Sequence, residues 1–188
     1  MSDTNVVDLF KYARLYLGPD NWEFIRKTSK EELLIFQSID LNTSDSYFVK
    51  GNNSLLNKFK AFYLTRCLKK KPLYTQCSIY EYADGVCSAD KDEFGLGVAK
   101  DLLFLYMHEH ISSIGNSRKW LTETVVNRIA DRNRIGLVTV ILSETKVPEF
   151  EECGELKIID LSSAQTSSSK ANMENYKGGN TFLKGNYD

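Results

Sequence analysis

A glycine and a lysine bracket the first segment of this sequence whose residue types could do chemistry. The segment is Gly51-Asn-Asn-Ser-Leu-Leu-Asn-Lys58, and it lies between a short hydrophobic run and an amphipathic stretch. A phosphate-binding loop in such a place needs glycines, so that backbone N–H groups can turn around an anion. It also needs a lysine for the outer phosphates and a serine or threonine for Mg²⁺. The segment is therefore the first candidate for a phosphate site.

The residues of this segment depart from that requirement at most positions. Aligned with the form G-x-x-G-x-G-K-T, only Gly51 matches, because Ser54 and Leu56 replace the other two glycines. Asn57 stands in the lysine position and Lys58 in the threonine position. Leu56 is the most damaging replacement, since its side chain penalises the backbone geometry that glycine permits. We predict a degenerate phosphate loop, in which Lys58 could serve only after a shift of one place.

The histidines of His108-Glu-His110 are a second group that could carry chemistry. Two histidines at i and i+2 on a strand share a face and could bind a metal. They are the only histidines of the chain and no cysteine lies near them in sequence, so we prefer a polar strand end and predict no metal site. No Ser-His-Asp or Cys-His arrangement is visible, and we predict no catalytic residues.

The elements that would position these residues centre on Asp101–Glu144. Two short apolar runs, 101–107 and 137–142, flank an amphipathic segment at 117–133. This pattern predicts a βαβ unit with buried parallel strands, which is the centre of a doubly wound domain.

Further strands and helices are predicted around this unit. Tyr47–Lys50, Leu73–Tyr82 and Glu155–Leu161 are expected to be strands. A helix is expected to reach about Lys70, and 83–100 is expected to be loop or a poorly formed helix. The predicted fold class is therefore α/β, with a three-layer α/β/α core of the P-loop type and a mostly parallel sheet.

Three segments are predicted along the chain. Residues 1–41 are expected to be a helical extension, and residues 42–161 the α/β core. Residues 162–188 are rich in Ser, Asn, Gly and Lys and poor in aliphatic residues, which predicts a disordered tail.

The helical extension contains one clear helix and one ambiguous stretch. Residues 3–17 are predicted to form a helix that ends before Pro19. Trp22–Phe36 is ambiguous, because its start could be a strand, whereas Ser29-Lys-Glu-Glu32 is a capping box that predicts a short helix at 30–38.

Charge and composition exclude several classes of protein. The 188 residues carry a net charge of −1 and a pI near 6.2, whereas a generic nucleic-acid coat would carry a strong basic excess. Direct contact with nucleic acid through a local basic patch stays open. There is no apolar run of about 18 residues, so no membrane span is expected. With no export signal and four cysteines without CxxC spacing, we expect a cytoplasmic protein with reduced thiols.

Two groups of side chains are candidates for binding a partner. Arg128 and Arg132 lie one helical turn apart, and like charges at that spacing repel weakly, so an anionic partner would stabilise them. A solvated flank or a local ion pair is the stronger interpretation. Tyr176, Phe182 and Tyr187 lie in the predicted tail, where they are either short adhesive points for a partner or plain disorder.

Together these segments resemble the ATPase core of the bacterial helicase-loader family of AAA+ proteins, which includes DnaC, DnaI and the transposition helper IstB. Tyr47–Lys70 is similar to the family's first strand, phosphate loop and first helix. Asp101-Leu-Leu-Phe-Leu-Tyr-Met107 is similar to its Walker B strand, D-L-L-V-I-D-E. Val126–Arg132 and Val138–Ser143 resemble its next helix and sensor strand. The resemblance covers roughly residues 45–161.

Compared with members of that family, this chain lacks the residues that hydrolyse ATP. The Walker B acids fall on Tyr106 and Met107, and Glu109 lies two places late along the strand. Ser143-Glu144 stands at the sensor position in place of a Thr-Asn pair. The short connection from there to the last predicted strand leaves no space for the family's arginine-finger segment and helical lid. Phosphoryl transfer depends on positioning and charge neutralisation, so the resemblance implies that hydrolysis is lost.

The function that these observations favour is a non-catalytic AAA+-like protein-interaction module, a pseudo-ATPase without a cofactor. Its protein partner would be an ATPase or helicase in DNA replication or mobile-element biology. Two alternatives stay open. One is a nucleotide-binding ATPase whose non-standard phosphate site uses Lys58 and Glu109. The other is a structural subunit of a larger assembly, with the tail as its tether.

Overall fold

A computed structural model describes residues 3–70, 72–87, 100–107 and 115–162. Within them, five strands form one sheet in the order β2-β3-β4-β1-β5, and every neighbouring pair is parallel. The strands are β1 (Tyr47–Lys50), β2 (Tyr74–Ser78), β3 (Leu102–Met107), β4 (Val138–Ser143) and β5 (Lys157–Asp160). The helices are α1 (Asp3–Lys27), α2 (Lys30–Ser38), α3 (Asn53–Arg66), α4 (Ile79–Cys87), α5 (Gly115–Arg134) and α6 (Pro148–Glu151).

The predicted βαβ unit is the centre of this sheet. β3 and β4 pair along their whole length, with Leu102 opposite Val138 and Met107 opposite Ser143, and α5 connects them. All six residues of β4 are buried, as expected for a parallel strand that is covered on both faces.

Helices cover both faces of the sheet. On one face α1, α2 and α3 enclose a core, and on the other face α4, α5 and α6 enclose a second one. The first core includes Leu17, Phe36, Phe59, Tyr63, Phe104 and Val140, and the second includes Phe48, Ile79, Leu105, Leu121, Ile141 and Phe150. The predicted three-layer α/β class with a mostly parallel sheet is confirmed.

The structure resolves the ambiguous N-terminal stretch in favour of helix. α1 is kinked at Gly18, whose φ of 75° and ψ of 167° break the helical path, and Pro19 begins a second helical segment that runs to Lys27. The strand alternative for the start of Trp22–Phe36 is therefore wrong. The predicted capping box before α2 is present, since Glu32 N–H donates to Ser29 Oγ at 3.1 Å.

The N-terminal helices are part of the main core. The Phe36 ring of α2 lies 5.8 Å from the Phe59 ring and 5.5 Å from the Phe62 ring of α3. The Tyr16 hydroxyl of α1 donates to the Pro72 carbonyl at 3.0 Å. This extension therefore completes the layer over one face of the sheet.

Two predicted boundaries are corrected. The strand expected at Leu73–Tyr82 ends at Ser78, because Ser78 and Glu81 form a capping box that starts α4. The helix expected to reach Lys70 ends at Arg66.

Candidate functional site

The carboxyl ends of the parallel strands lie at one edge of the sheet, and doubly wound domains bind ligands there. The ends of β1, β3, β4 and β5 bring Lys50, Met107, Ser143 and Asp160 to this edge. Lys50 and Asp160 form an ion pair across neighbouring strands. The predicted phosphate-loop segment follows β1 at the same edge.

The junction between β1 and α3 is too short for a phosphate-wrapping loop. β1 ends at Lys50 and α3 begins at Asn53, so only Gly51 and Asn52 lie between strand and helix. The Asn52 side chain caps the helix by accepting from the Leu55 N–H at 2.9 Å. A loop that surrounds phosphates needs several residues between strand and helix, and here those positions have become helix.

The other residues of the predicted loop therefore lie in the first turns of α3. Leu56 is buried in the core, and the Asn57 amide donates to the Asn53 carbonyl at 2.9 Å and to its side-chain oxygen at 2.8 Å. Ser54 and Lys58 complete this helical segment. The backbone N–H groups of positions 57 and 58 are turned into the helix and do not surround a ligand.

Gly51 is explained by packing. Its backbone N–H donates to the Ser143 carbonyl at 3.1 Å. A Cβ at this position would lie 3.2 Å from Leu161 Cβ and 3.7 Å from Leu56 Cδ2. The glycine thus allows the chain after β5 to pass close to the end of β1.

The ammonium of Lys58 is held by a carboxylate from the N-terminal extension. Lys58 Nζ lies 2.7 Å from Glu32 Oε1 and 2.8 Å from Glu32 Oε2. The same carboxylate accepts from the Ser29 N–H at 2.8 Å. Burial by itself would raise the pKa of Glu32, but the hydrogen bonds from Lys58 and Ser29 outweigh it and hold that pKa below its usual value.

The two positions that the sequence aligned with Walker B acids carry no charge at the end of β3. The Tyr106 hydroxyl donates to Asn57 Oδ1 at 3.4 Å, and burial raises the pKa of Tyr106. Met107 is buried in the core on the opposite face of the sheet. Glu109 and the histidines at 108 and 110 lie outside the described residues.

The sensor position carries a serine whose hydroxyl bonds to the backbone of the turn that follows it. Ser143 is buried, and its hydroxyl donates to the Thr145 carbonyl at 2.9 Å, while Glu144 is exposed. Neither side chain contacts the phosphate-loop segment in the described hydrogen bonds, although the Ser143 carbonyl accepts from Gly51.

A pocket lies beside the first turns of α3, toward β2. It has a volume of about 500 Å³ and is lined by α1, α3, β2 and β3. Lys60 stands in its wall, with Nζ 2.8 Å from Gln76 Oε1 and 5.4 Å from the centre of the Tyr106 ring. Burial lowers the pKa of Lys60 to about 8.

The arginine pair predicted as an interaction surface is split by the structure. Arg132 is 2 % exposed, and its guanidinium donates to Thr139 Oγ1 at 2.9 Å and to the Lys100 and Val138 carbonyls at 3.0 Å. It ties α5 to the start of β4 and is not available to a partner. Arg128 is half-exposed and lies 3.7 Å from Asp131.

Three of the predicted contact residues, Tyr176, Phe182 and Tyr187, lie outside the described residues. Among the residues that the structure does describe, no group of three or more His, Cys, Asp or Glu side chains could hold a metal ion. None of the helices in those ranges is both long enough and apolar enough to span a membrane.

No protein-family model matches the chain, and no curated protein matches its sequence. Several solved structures do match. A DNA replication initiation factor aligns with 86 % of this chain and 53 % of its own, at 14 % identity and a TM-score of 0.42. AMPPCP-bound DnaA from Aquifex aeolicus aligns with 83 % of this chain and 54 % of its own, at 15 % identity and a TM-score of 0.44.

A third similar structure is a Streptococcus pyogenes serotype M3 protein provisionally assigned as a primosome component. It aligns with 70 % of this chain and 75 % of its own, at 16 % identity and a TM-score of 0.40. The chain spans about half the length of the first two structures. At these identities the similarity concerns the α/β fold alone. None of the three is named as a helicase loader, so membership of that family stays a proposal.

Two features of the site were missed by the sequence analysis. The capping box at Ser29 was predicted, but the pairing of its Glu32 with Lys58 depends on how α2 packs on α3. Lys60 was overlooked, although a signal exists: it follows Leu56 at i+4 and precedes Tyr63 at i+3, on the helix stripe that faces the core. A lysine in such a stripe marks a buried cation.

Proposed function

We propose that this chain is a non-catalytic AAA+-like module that binds a protein partner, an ATPase or helicase in DNA replication or mobile-element biology, without turning over ATP. The observation that carries the proposal is the state of Lys58. This lysine lies inside α3 and is neutralised by Glu32, in the segment where a phosphate site would need a free cation.

Electrostatics support the loss of nucleotide binding. A triphosphate near Lys58 would have to displace the Glu32 carboxylate or accept its repulsion. Tyr106 and Met107 offer no carboxylate for Mg²⁺ at the end of β3. The β1–α3 junction supplies no wrapping loop. Each of these losses weakens a different part of a phosphoryl-transfer site, so together they favour a surface used for binding.

Nucleotide binding is tested by thermal unfolding of the purified protein with and without millimolar Mg-ATP or Mg-ADP. A ligand at about 100 times its Kd adds about 2.7 kcal/mol, which raises the Tm of a domain of this size by several degrees. We expect no shift. A clear shift that disappears in Lys58→Ala would contradict the proposal and establish a nucleotide site that uses this lysine.

Partner binding is tested by mixing the full chain with the replicative helicase of the same organism and following complex formation by sedimentation and helicase ATPase rate. We expect a complex or a changed rate. Arg128→Glu should weaken it, because Arg128 is the exposed member of the predicted pair. Arg134→Glu is the matched control, since it also pairs with Asp131 on the same helix. Absence of both a complex and a rate change would rule out this partner class.

A further inference from the structure

Lys60 is a buried lysine whose ammonium pairs with no carboxylate among the described residues. Lys60 is 5 % exposed, and Nζ donates to the neutral Gln76 amide oxygen at 2.8 Å. In the described part of the chain no ion pair joins it to an acid, although Asp20 lies near enough to act on its charge. A buried and uncompensated charge is costly, whereas a methionine would fill the same space without that cost. The position is therefore chemically unusual for a purely structural residue.

Two cavities meet at this lysine. The pocket of about 500 Å³ extends toward Tyr106 and the start of α3, and a second of about 400 Å³ extends toward the kink of α1. Lys60 and Gln76 line both. Asn21 also lines the second cavity and is buried. A buried cation thus lies in the wall of space that a small molecule could occupy.

The lining of the larger pocket limits the charge of such a molecule. Asp20 and Glu23 lie at its α1 side, and Glu23 is already paired with Arg26 and Lys27. These acids disfavour a multiply charged phosphate group close by. A singly charged carboxylate needs only one strong cationic donor and fits this balance better.

The rest of the lining suits an apolar body. Phe24 and the Tyr106 ring contribute apolar surface to the same pocket, and Asn53 and Asn57 add amide groups at the start of α3. A volume of about 500 Å³ is within the range that holds small organic ligands.

We propose that this pocket binds a small organic molecule through its carboxylate, with Lys60 as the anion-binding residue and with Phe24 and Tyr106 against the apolar part of the ligand. The pocket shares Asn53 and Asn57 with the degenerate phosphate-loop segment, but its anion-binding residue is Lys60 and not Lys58. The proposal does not depend on the absence of nucleotide binding. The lysine is mostly protonated at pH 7, because its pKa is about 8.

The test uses 4-fluorobenzoate as the probe and ¹⁹F NMR titration of the full chain as the readout, with neutral 4-fluorobenzyl alcohol for comparison. We expect the benzoate to bind and the alcohol to bind at least about tenfold more weakly, because the alcohol lacks the charge that Lys60 contacts. Affinity for the benzoate should fall as the pH rises from 7 to 9, since Lys60 loses its proton in this range.

Lys60→Met removes the charge and keeps the shape, so we expect it to fold at least as stably and to bind 4-fluorobenzoate about tenfold or more weakly. Lys69→Met, in the exposed segment after α3, is the control and should bind as the unaltered chain does. Any of three results would overturn the proposal: no binding up to about 10 mM, equal affinity in Lys60→Met, or tighter binding of inorganic phosphate than of the benzoate. The pH dependence of the unaltered chain tests Lys60 even if the variant fails to fold.

Discussion

Two lysines on α3, separated by half a helical turn, are stabilised in different ways. Lys58 finds a full counter-charge in Glu32, whereas the described contacts of Lys60 are the amide oxygen of Gln76 and the ring of Tyr106. The first arrangement neutralises a cation in the segment that the sequence aligns with a phosphate loop. The second keeps a cation available inside a pocket. The two lysines therefore differ because a carboxylate pairs with Lys58, whereas none among the described residues pairs with Lys60.

Glu32→Gln should destabilise the protein, because it removes the counter-charge of Lys58 and weakens the capping box of α2. For this partly buried pair we expect a loss of about 1–2 kcal/mol in the free energy of unfolding at pH 7. The pKa of Glu32 is lower in the folded chain than its usual 4.5, so the unfolded chain binds more protons as the pH falls. The stabilisation is present above about pH 4.5 and is lost below it.

Urea unfolding of both proteins between pH 3 and pH 7 measures this difference. The gap between unaltered chain and Glu32→Gln should close as the pH falls. Glu31→Gln is the comparison variant, since Glu31 is the neighbouring exposed acid and hydrogen bonds at the helix start lower its pKa too, while no described contact joins it to Lys58. The larger closing of the gap in Glu32→Gln then reports the ion pair with Lys58. A gap that stays constant across the pH range would mean that the Lys58–Glu32 pair does not contribute to folding.

Arg132→Met should be strongly destabilising. It removes a buried guanidinium and leaves the Val138 and Lys100 carbonyls without their donor. We expect a loss of about 2–4 kcal/mol in the free energy of unfolding. Arg128→Met, one turn earlier and half-exposed, should change it by less than about 0.5 kcal/mol. Equal effects in chemical denaturation would contradict the structural role of Arg132.

At the scale of elements, the start of α3 determines whether the sheet edge after β1 can bind an anion. β1 is followed by a helix capped at Asn52, and the capping bond uses the helix N-terminus in the way that a bound anion would. The second element-level feature is the kink at Gly18, which turns the end of α1 across the pocket beside Lys60. The cap at Asn52 and the kink at Gly18 each depend on a few neighbouring residues, and each shapes the surface next to it.

Asn52→Ala should lower the free energy of unfolding by about 1 kcal/mol, because the Leu55 N–H loses its acceptor. Asn53→Ala, at the next and exposed position, should change it by less than about 0.5 kcal/mol. Thermal unfolding of the two variants side by side measures the contribution of the cap. If Asn53→Ala proved the more damaging, the helix would begin at a different residue from the one described.

At the scale of the whole molecule, the N-terminal helices are required to close the core. α1 and α2 lie over the same face of the sheet as α3, and Phe36 is fully buried between them and the Phe59 and Phe62 rings. A chain without residues 1–41 would expose this face to water. The extension therefore belongs to the folding unit of the core.

Phe36→Ala should cost about 3–5 kcal/mol, as truncation of a buried phenylalanine in a core does. Leu34→Ala, two residues earlier on the same helix and 65 % exposed, should cost less than about 0.5 kcal/mol. Denaturant unfolding measures both. A small effect of Phe36→Ala would mean that α2 is a loosely attached element and that the core is complete without it.

The sequence by itself determined the central architecture. Leu102–Met107 and Val138–Ser143 are short, continuous apolar runs on either side of an amphipathic helix. This pattern predicts a βαβ unit with buried parallel strands. The capping box at Ser29 was equally readable, because its residues are adjacent. The departure of Gly51–Lys58 from a phosphate loop was visible in residue types alone, since it depends on the absence of glycines.

Only the tertiary structure decided what the side chains around this unit do. Lys58 meets Glu32 because α2 packs beside α3, and Lys60 meets Gln76 because α3 packs on the sheet next to β2. Sequence spacing does not encode either distance. Arg132 and Arg128 have the same residue type one turn apart on nearly the same helix face, yet they differ in burial. Arg132 lies where α5 packs against the start of β4 and bonds Thr139 and the Val138 carbonyl, whereas Arg128 lies one turn earlier and is half-exposed.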